Sequence, residues 1–511
     1  MQVNKNNNSQ KISVLEAENV SLQQRLFATE KQLAEAIKQI TWLKEQFKLN
    51  RHRQFGKQSE TSQSLTLPLF DDEECDEVTE TIEPIDDEQE QVTYSRSKPK
   101  KGRKIDTTHL PRERIVHDLS EQEKICACGC TLEKISEDKS EQLEYVPAVI
   151  KVIEHVRPKY TCRGCEAIKS AKKPEQPLPK SMASSSLIAD VIIKKYDHHL
   201  PLYRQSKILL QNGIDIPDNT LGNWVMGAAS LFNPLHDALW NEINHIRLLQ
   251  ADETPVKILK PDKKGYMWAY QSLDKNNRFI LFEFTLSREG AHPTKRLQDF
   301  SGILQTDGYS GYNGLRARDN IVNLGCWDHA RRKFTDTIKA NNGNKQGVAG
   351  KLLSLINKLY KIERDCKSFS IEDRYQNRQQ RSKPILERIF KEAVNANPLP
   401  KSTLGVAITY LNNNKLELIE YINYGDTQIS NCLTENQIRP FALGRKNWLF
   451  VGNEVSANKS ALWYSLIQSC KINKIDVRRY LVAILNQAHA MRRGEIEPRS
   501  LLPQFIDKSI L

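Results

Sequence analysis

The chain has no run approaching the roughly 18 consecutive apolar residues that a membrane-crossing helix needs, so no membrane-spanning helix is expected in its 511 residues. No secretory leader is expected either: Met1 to Gln10 is a polar, asparagine-rich stretch without the basic start and apolar centre of a signal peptide, and the expected location is the cytoplasm. Cysteine is sparse. Ten cysteines are too dilute for a disulfide scaffold, yet five of them fall in two tight clusters, which in a reducing compartment points to a metal. Basic residues are missing altogether from residues 71–90, which hold 12 acids. Outside that stretch 75 bases face 51 acids, a charge of +24. So basic a remainder makes a polyanion a plausible partner, because phosphates release counterions when lysine and arginine neutralise them, while solubility explains a basic chain about as often. At about 150 residues per domain the length predicts several domains.

A heptad opens the chain. With Ile12 at position a, the a positions continue as Asn19, Leu26, Leu33, Ile40 and Phe47, and the d positions are Leu15, Leu22, Thr29, Ala36 and Leu43. Asparagine at a is a substitution that fixes register and two-stranded pairing. Residues 12–50 are therefore read as a coiled-coil dimerisation helix and a homodimer is expected; an amphipathic helix packed on its own domain is the alternative. The basic exit Arg51-His52-Arg53 and the acidic, Ser/Thr-rich stretch behind it form a flexible linker over 51–109, since such composition buries too little apolar surface to order itself.

Residues 110–175 read as a small zinc-binding β module. Cys126, Cys128 and Cys130 crowd one turn and Cys162-Arg163-Gly164-Cys165 makes a second knuckle; four of these five thiolates would hold a structural Zn²⁺ tetrahedrally. The first knuckle is not Cys-x-x-Cys, so its two ligands are open. Over 185–232 the pattern is helical: one helix to Tyr196, another over Leu202 to Gln211 closed by Asn212-Gly213, and a third capped by Pro217-Asp218-Asn219-Thr220. Helix, glycine turn, helix is the arrangement of a helix-turn-helix, with Asn219 and Asn223 reaching base edges, although ordinary helical packing gives the same pattern.

From residue 246 the texture turns to strands. Ile246–Ala251 is followed by Asp252 at its end, then come Tyr266–Tyr270 and Phe279–Phe284, and Ile303–Thr306 ends at Asp307-Gly308. Two acids at strand ends on one sheet edge suit a hard divalent cation. Glu253 rivals Asp252 but is expected on the opposite face of the strand. An Asp before Gly, such as Asp307, is commonly only a turn residue. A last strand at Ile321–Leu324 precedes Cys326-Trp327-Asp328-His329-Ala330-Arg331-Arg332-Lys333, whose cations Arg331, Arg332 and Lys333 are candidate phosphate contacts. Residues 345–430 return to helical periodicity, an insertion before Asn431 to Pro440. There Glu435 and Arg439 stand four apart on one helix face, with Arg445 and Lys446 following as further DNA contacts.

Asp252-Glu253-Thr254-Pro255, Thr306-Asp307-Gly308-Tyr309, Cys326 through Phe334 and the segment from Glu435 to Phe450 resemble the transposases of the insertion-sequence-66 family. So do the zipper, the paired knuckles and Lys195 through Arg204. The resemblance implies a multidomain α+β chain with a ribonuclease-H-like α/β catalytic core over 240–344 and 431–511, split by the helical insertion at 345–430. It implies an Asp-Asp-Glu triad at Asp252, Asp307 and Glu435, holding Mg²⁺ or Mn²⁺ for cleavage and strand transfer on double-stranded DNA, at the element's terminal inverted repeats and at a target. Accessory proteins of the same element are compatible with it. A DNA-binding regulator or an inactive remnant would share the zipper, knuckles and helices, but a pure binder has no use for three separately placed acids.

Overall fold

The structure is a computed structural model, and it describes Asn19, residues 22–33, 35–37, 39–40, 42–48, 150–161, 168–170, 174–341 and 343–511. The acidic linker, the five clustered cysteines, and Ile12 and Leu15 of the heptad lie outside the described residues. Two units divide the chain, one of residues 79–173 and one of the remainder. In the smaller, β1 (Lys159–Thr161) pairs antiparallel with β2 (Ile168–Ser170), Lys159 opposite Ser170.

In the larger unit, the described residues between 22 and 48 are helical, and Leu22, Leu26, Leu33, Ile40, Leu43 and Phe47 are each more than half exposed. Four helices follow the smaller unit: α1 (Ser185–Tyr196), α2 (Leu202–Gln211), α3 (Asp218–Leu231) and α4 (Asn233–Glu242). The Ser184 hydroxyl caps α1 by accepting from the Leu187 N–H. Gly213 ends the turn after α2 at φ +79°, a left-handed conformation that glycine adopts without strain. The capping expected before α3 takes another form: Pro217 occupies the cap position with no side-chain cap bond, its fixed φ suiting the entry to a helix, and Asp218 Oδ1 instead accepts from the Asn219 N–H.

The sheet is built from β3 (Leu248–Lys260), β4 (Lys263–Ser272), β5 (Ile280–Thr285), β6 (Gly302–Gln305) and β7 (Ile321–Leu324), ordered β5-β4-β3-β6-β7. The first three run antiparallel in turn, and β6 and β7 run parallel to β3. The short helices α5 (Ala291–Arg296) and α6 (Asn313–Arg316) serve the connections. After β7 come α7 (Trp327–Ala340) and the inserted helices α8 (Val348–Asp365), α9 (Ile371–Asn377), α10 (Lys383–Asn395), α11 (Thr403–Asn413) and α12 (Lys415–Glu420). The chain then returns through α13 (Cys432–Trp448), β8 (Val451–Asn453), α14 (Glu454–Ile472) and α15 (Val477–Arg492).

The sequence reading stopped the first strand before Asp252, and this is corrected: β3 runs on to Lys260, pairing with β4 from Leu249↔Ser272 to Ile258↔Lys263. Pro255 lies inside the strand although proline cannot donate to a second neighbour. The neighbour is missing at that point: β6 pairs with β3 only as far as Gln250↔Gln305, and β8 takes up the same edge only at Ile258↔Val451. In the fork between them Arg445 Nη1 donates to Thr254 Oγ1 at 3.0 Å and to the Pro255 carbonyl, tying α13 to the bare edge.

Two hydrophobic cores fill the larger unit. One joins the sheet to α1, α3, α4 and the C-terminal helices, with Tyr464 at its hub: its ring lies 5.5 Å from that of Tyr196, 5.2 Å from Phe441 and 5.9 Å from Phe282. Such aromatic pairs add about 0.5–1.5 kcal/mol each beyond burial. The other packs α7 against the inserted helices around Trp327, Phe334, Leu359, Ile389 and Leu411, and the Trp327 indole N–H donates to the Leu418 carbonyl at 2.8 Å. No helix among the described residues is long and apolar enough to cross a membrane.

Candidate active site

Parallel pairing sets the geometry. Gln250 on β3 stands opposite Gln305 on β6, and stepping two residues along each strand brings Asp252 beside Asp307 on the same face. Both acids lie where β6 parts from β3. Asp252 is almost fully buried and Oδ1 accepts from the Glu253 N–H at 2.8 Å. Asp307, half-buried, accepts through Oδ1 from the Tyr309 N–H at 2.8 Å, so the Asx-turn reading of Asp-Gly is correct for this residue without excluding it from the site. Gly308 follows at φ +90°, where a Cβ would stand 2.7 Å from Asn414 Oδ1. The inserted α11 braces the same turn, the Tyr410 hydroxyl donating to the Asp307 carbonyl at 2.7 Å.

Glu253 does not point away as strand alternation predicts. Arg288 Nε donates to its Oε1 at 2.8 Å and the Tyr312 hydroxyl to its Oε2 at 2.9 Å, and this draws the longer side chain back. Ligand-capable atoms of Asp252, Glu253 and Asp307 consequently lie within 4.8 Å of one another. Burial, and after it the charges of Glu435, Glu253 and Asp307, push the Asp252 carboxyl well above its usual range. Burial and Asp307 likewise push Glu253 up to about 7, against the lowering pull of Arg288.

Glu435, 1% exposed in the first turn of α13, sits in a neighbouring group with Cys326 and His329, whose ligand atoms are also within 4.8 Å of one another. His329 Nδ1 is 3.6 Å from Glu435 Oε1, and Arg332 Nη2 is 3.7 Å from Oε2. Burial lowers His329 to about 4 despite the nearby charge of Asp307, so the imidazole is neutral. Asn431, fully buried just before α13, has no hydrogen bond on either side-chain polar atom. The structure thus makes one compact acid set of Asp252, Glu253 and Asp307 and places Glu435 in the adjoining group; the two communicate electrostatically, Glu435 being the strongest of the charges that raise Asp252.

Beneath the site runs a polar network that the sequence reading missed. Gln250 Nε2 donates to Gln305 Oε1 at 2.7 Å and to the Ser430 carbonyl at 2.9 Å; Gln305 Nε2 donates to the carbonyls of Gly325 at 3.0 Å and Gln428 at 2.9 Å. The Thr434 hydroxyl donates to Gln250 Oε1 at 3.0 Å. These bonds lock the segment leading into α13 to the two strands that carry the aspartates. A signal was available: glutamine precedes each aspartate by two residues, in Gln250-Ala251-Asp252 and Gln305-Thr306-Asp307.

The remaining expected residues are dispersed. Asn219 and Asn223 share an exposed face of α3. The Arg331 guanidinium lies 5.0 Å from the Tyr360 ring centre and the Lys333 ammonium 5.0 Å from that of Tyr410, so both half-buried cations pack on aromatic faces within the protein. Arg439 is half-buried on α13, Arg445 is committed to β3, and Lys446 is exposed.

Residues 180–459 match the family profile described as Transposase IS66 family. The chain belongs to the IS66 transposase family. Two further profiles match this transposase: a zinc-finger binding domain of transposase IS66 over residues 123–166, and one described as Transposase C of IS166 homeodomain over residues 42–115. The first spans all five clustered cysteines and supports a structural zinc. Among similar proteins of Sinorhizobium fredii, the uncharacterized protein y4jD is 32% identical over 74% of this chain and 77% of its own length. The uncharacterized protein y4qI is 30% identical over 94% of the chain and 91% of its own length. The IS66 transposase is accordingly a DNA-processing enzyme of transposase type, with DNA as its partner.

Proposed function

We propose that this IS66 transposase cuts and joins DNA with an Asp-Asp-Glu site, Asp252, Asp307 and Glu435, on a ribonuclease-H-like core. The observation that carries the reading is the register of β3 and β6, which sets Asp252 beside Asp307. A sheet with three antiparallel strands followed by two parallel to the first, in the order third-second-first-fourth-fifth, supports the core assignment. The donor set fits Mg²⁺ or Mn²⁺: these are hard carboxylate oxygens, and burial together with the neighbouring acids raises the carboxyls of Asp252 and Glu253, as happens where a cation is needed to balance them. Asp252 and Asp307 would hold the ion between the strands, and Glu435 would complete the set from α13. Bound there, the metal would make water a better nucleophile and offset charge on the leaving oxygen.

The chain's own part is positioning. The water oxygen bonds to phosphorus as the bond to the 3′-oxygen breaks, and the freed 3′-hydroxyl then attacks a target phosphodiester in the same way. The glutamine network keeps α13 against the aspartates through both steps, while Arg332 beside Glu435 gives the site a fixed positive charge. End recognition would come from the zinc module, with four of Cys126, Cys128, Cys130, Cys162 and Cys165 as ligands, and from α3 through Asn219 and Asn223. Lys446 remains an exposed candidate for backbone contact; Arg331, Arg332, Lys333, Arg439 and Arg445 would reach phosphate only by leaving their internal partners.

Asp307→Asn tests the site, because it keeps shape and removes charge. It should abolish Mg²⁺-dependent nicking of element ends and leave end binding intact. Nicking at the parental rate would refute the assignment. A homodimer through residues 12–50 follows from the exposed apolar row between Leu22 and Phe47, which a second copy would bury. Leu26→Asp with Leu33→Asp should shift the full chain from dimer to monomer in sedimentation, and an unchanged mass would rule the zipper out as the dimer contact.

A further inference from the structure

We propose that Cys326, His329 and Glu435 form a second metal site, for a thiophilic divalent cation of the Zn²⁺ class, and that filling it draws Glu435 away from the aspartates. Their ligand-capable atoms already lie within 4.8 Å of one another. At 3.6 Å the His329 Nδ1 to Glu435 Oε1 gap is too long for a hydrogen bond, and His329 Nδ1 makes none. It is close to the separation of about 3.3 Å between nitrogen and oxygen ligands on one tetrahedral zinc with bonds near 2.0–2.1 Å. Local sequence explains the convergence. Cys326 is the residue before α7 and His329 its third, so a Cys-x-x-His spacing turns both toward the start of that helix, where the start of α13 presents Glu435.

The donors distinguish this site from the aspartate site. Sulfur, imidazole nitrogen and a single carboxylate oxygen select zinc, cobalt or cadmium over magnesium, whereas Asp252, Glu253 and Asp307 offer oxygen alone. Arg332 Nη2 stands 3.7 Å from Oε2 of Glu435, and the His329 imidazole faces Oε1. Binding balances simply: the Cys326 thiol gives its proton to solvent, the imidazole binds neutral, and water takes the fourth position. Since one carboxylate cannot serve both sites in full, zinc is an inhibitor; that half of the proposal rests on Glu435 acting in catalysis.

The test uses the full-length transposase with its finger already zinc-loaded. Calorimetric titration with Zn²⁺ should show one further site per chain, and Cys326→Ala or His329→Ala should weaken it by more than about 100-fold, because loss of mere outer-shell support for a metal ligand already costs 10–100-fold. Magnesium-dependent nicking should be blocked by Zn²⁺ in the wild type and resist it in Cys326→Ala. Equal zinc binding by wild type and both variants overturns the site. Should a variant fail to fold, anomalous diffraction at the zinc edge from wild-type crystals decides, and no peak among the three residues overturns it. If zinc binds as described but no magnesium-dependent nicking exists, the site stands and the catalytic reading falls.

Discussion

Glu253 shows how strongly single side chains are conditioned here. Folding raises its carboxyl from 4.5 to about 7, chiefly by burial and then by the charge of Asp307. Between those values the folded, metal-free chain keeps a proton that the unfolded chain has released, so stability falls as pH rises through the window and the loss is absent below it. Glu253→Gln removes this group from the titration and keeps acceptors for Arg288. Thermal unfolding in chelator should therefore show a smaller drop between about pH 5 and about pH 8 for the variant than for the wild type. Equal drops would mean that Glu253 does not titrate there. Asp252 and Asp307 stood out as candidates because they followed strand-like runs, and Glu435 because of the motif around it. The inward turn of Glu253 was not, since it depends on Arg288 and Tyr312, which lie 35 and 59 residues away.

At the scale of elements, α1 and α2 and the strands between residues 263 and 324 were readable from periodicity, glycine and proline, whereas β8 was not. The length of β3 was not, because whether proline ends a strand depends on which neighbour occupies its far edge, and that is set by β6 and β8, distant in sequence. The same long-range logic holds α13 in place. Gln305→Ala would leave the buried Gly325 carbonyl and the part-buried Gln428 carbonyl without their donor, which should cost about 1–3 kcal/mol in urea unfolding. Cleavage should fall further than end binding does, since the segment released is the one that delivers Glu435. A stability change under about 0.5 kcal/mol would show that this network does not carry α13.

For the larger unit as a whole, the sequence separated a recognition region from a catalytic core, and the structure gives them one core. Besides the rings around Tyr464, the Ser185 hydroxyl donates to Asn486 Oδ1 at 2.6 Å across 301 residues. Periodicity could show that α1 and α3 had apolar faces but not what covers them, because the cover lies more than 200 residues further along the chain, in α14 and α15. Synthesis therefore imposes an order on this protein: until α14 and α15 have left the ribosome, the helices at 185–231 lack the cover that those two helices supply. An interrupted product would leave that apolar face exposed, a substrate for proteases. Pulse-chase of a chain stopped at residue 453 should show rapid turnover and no protection by element-end DNA, whereas a long-lived fragment that competes with the full protein for ends would show that the first helices stand without the last.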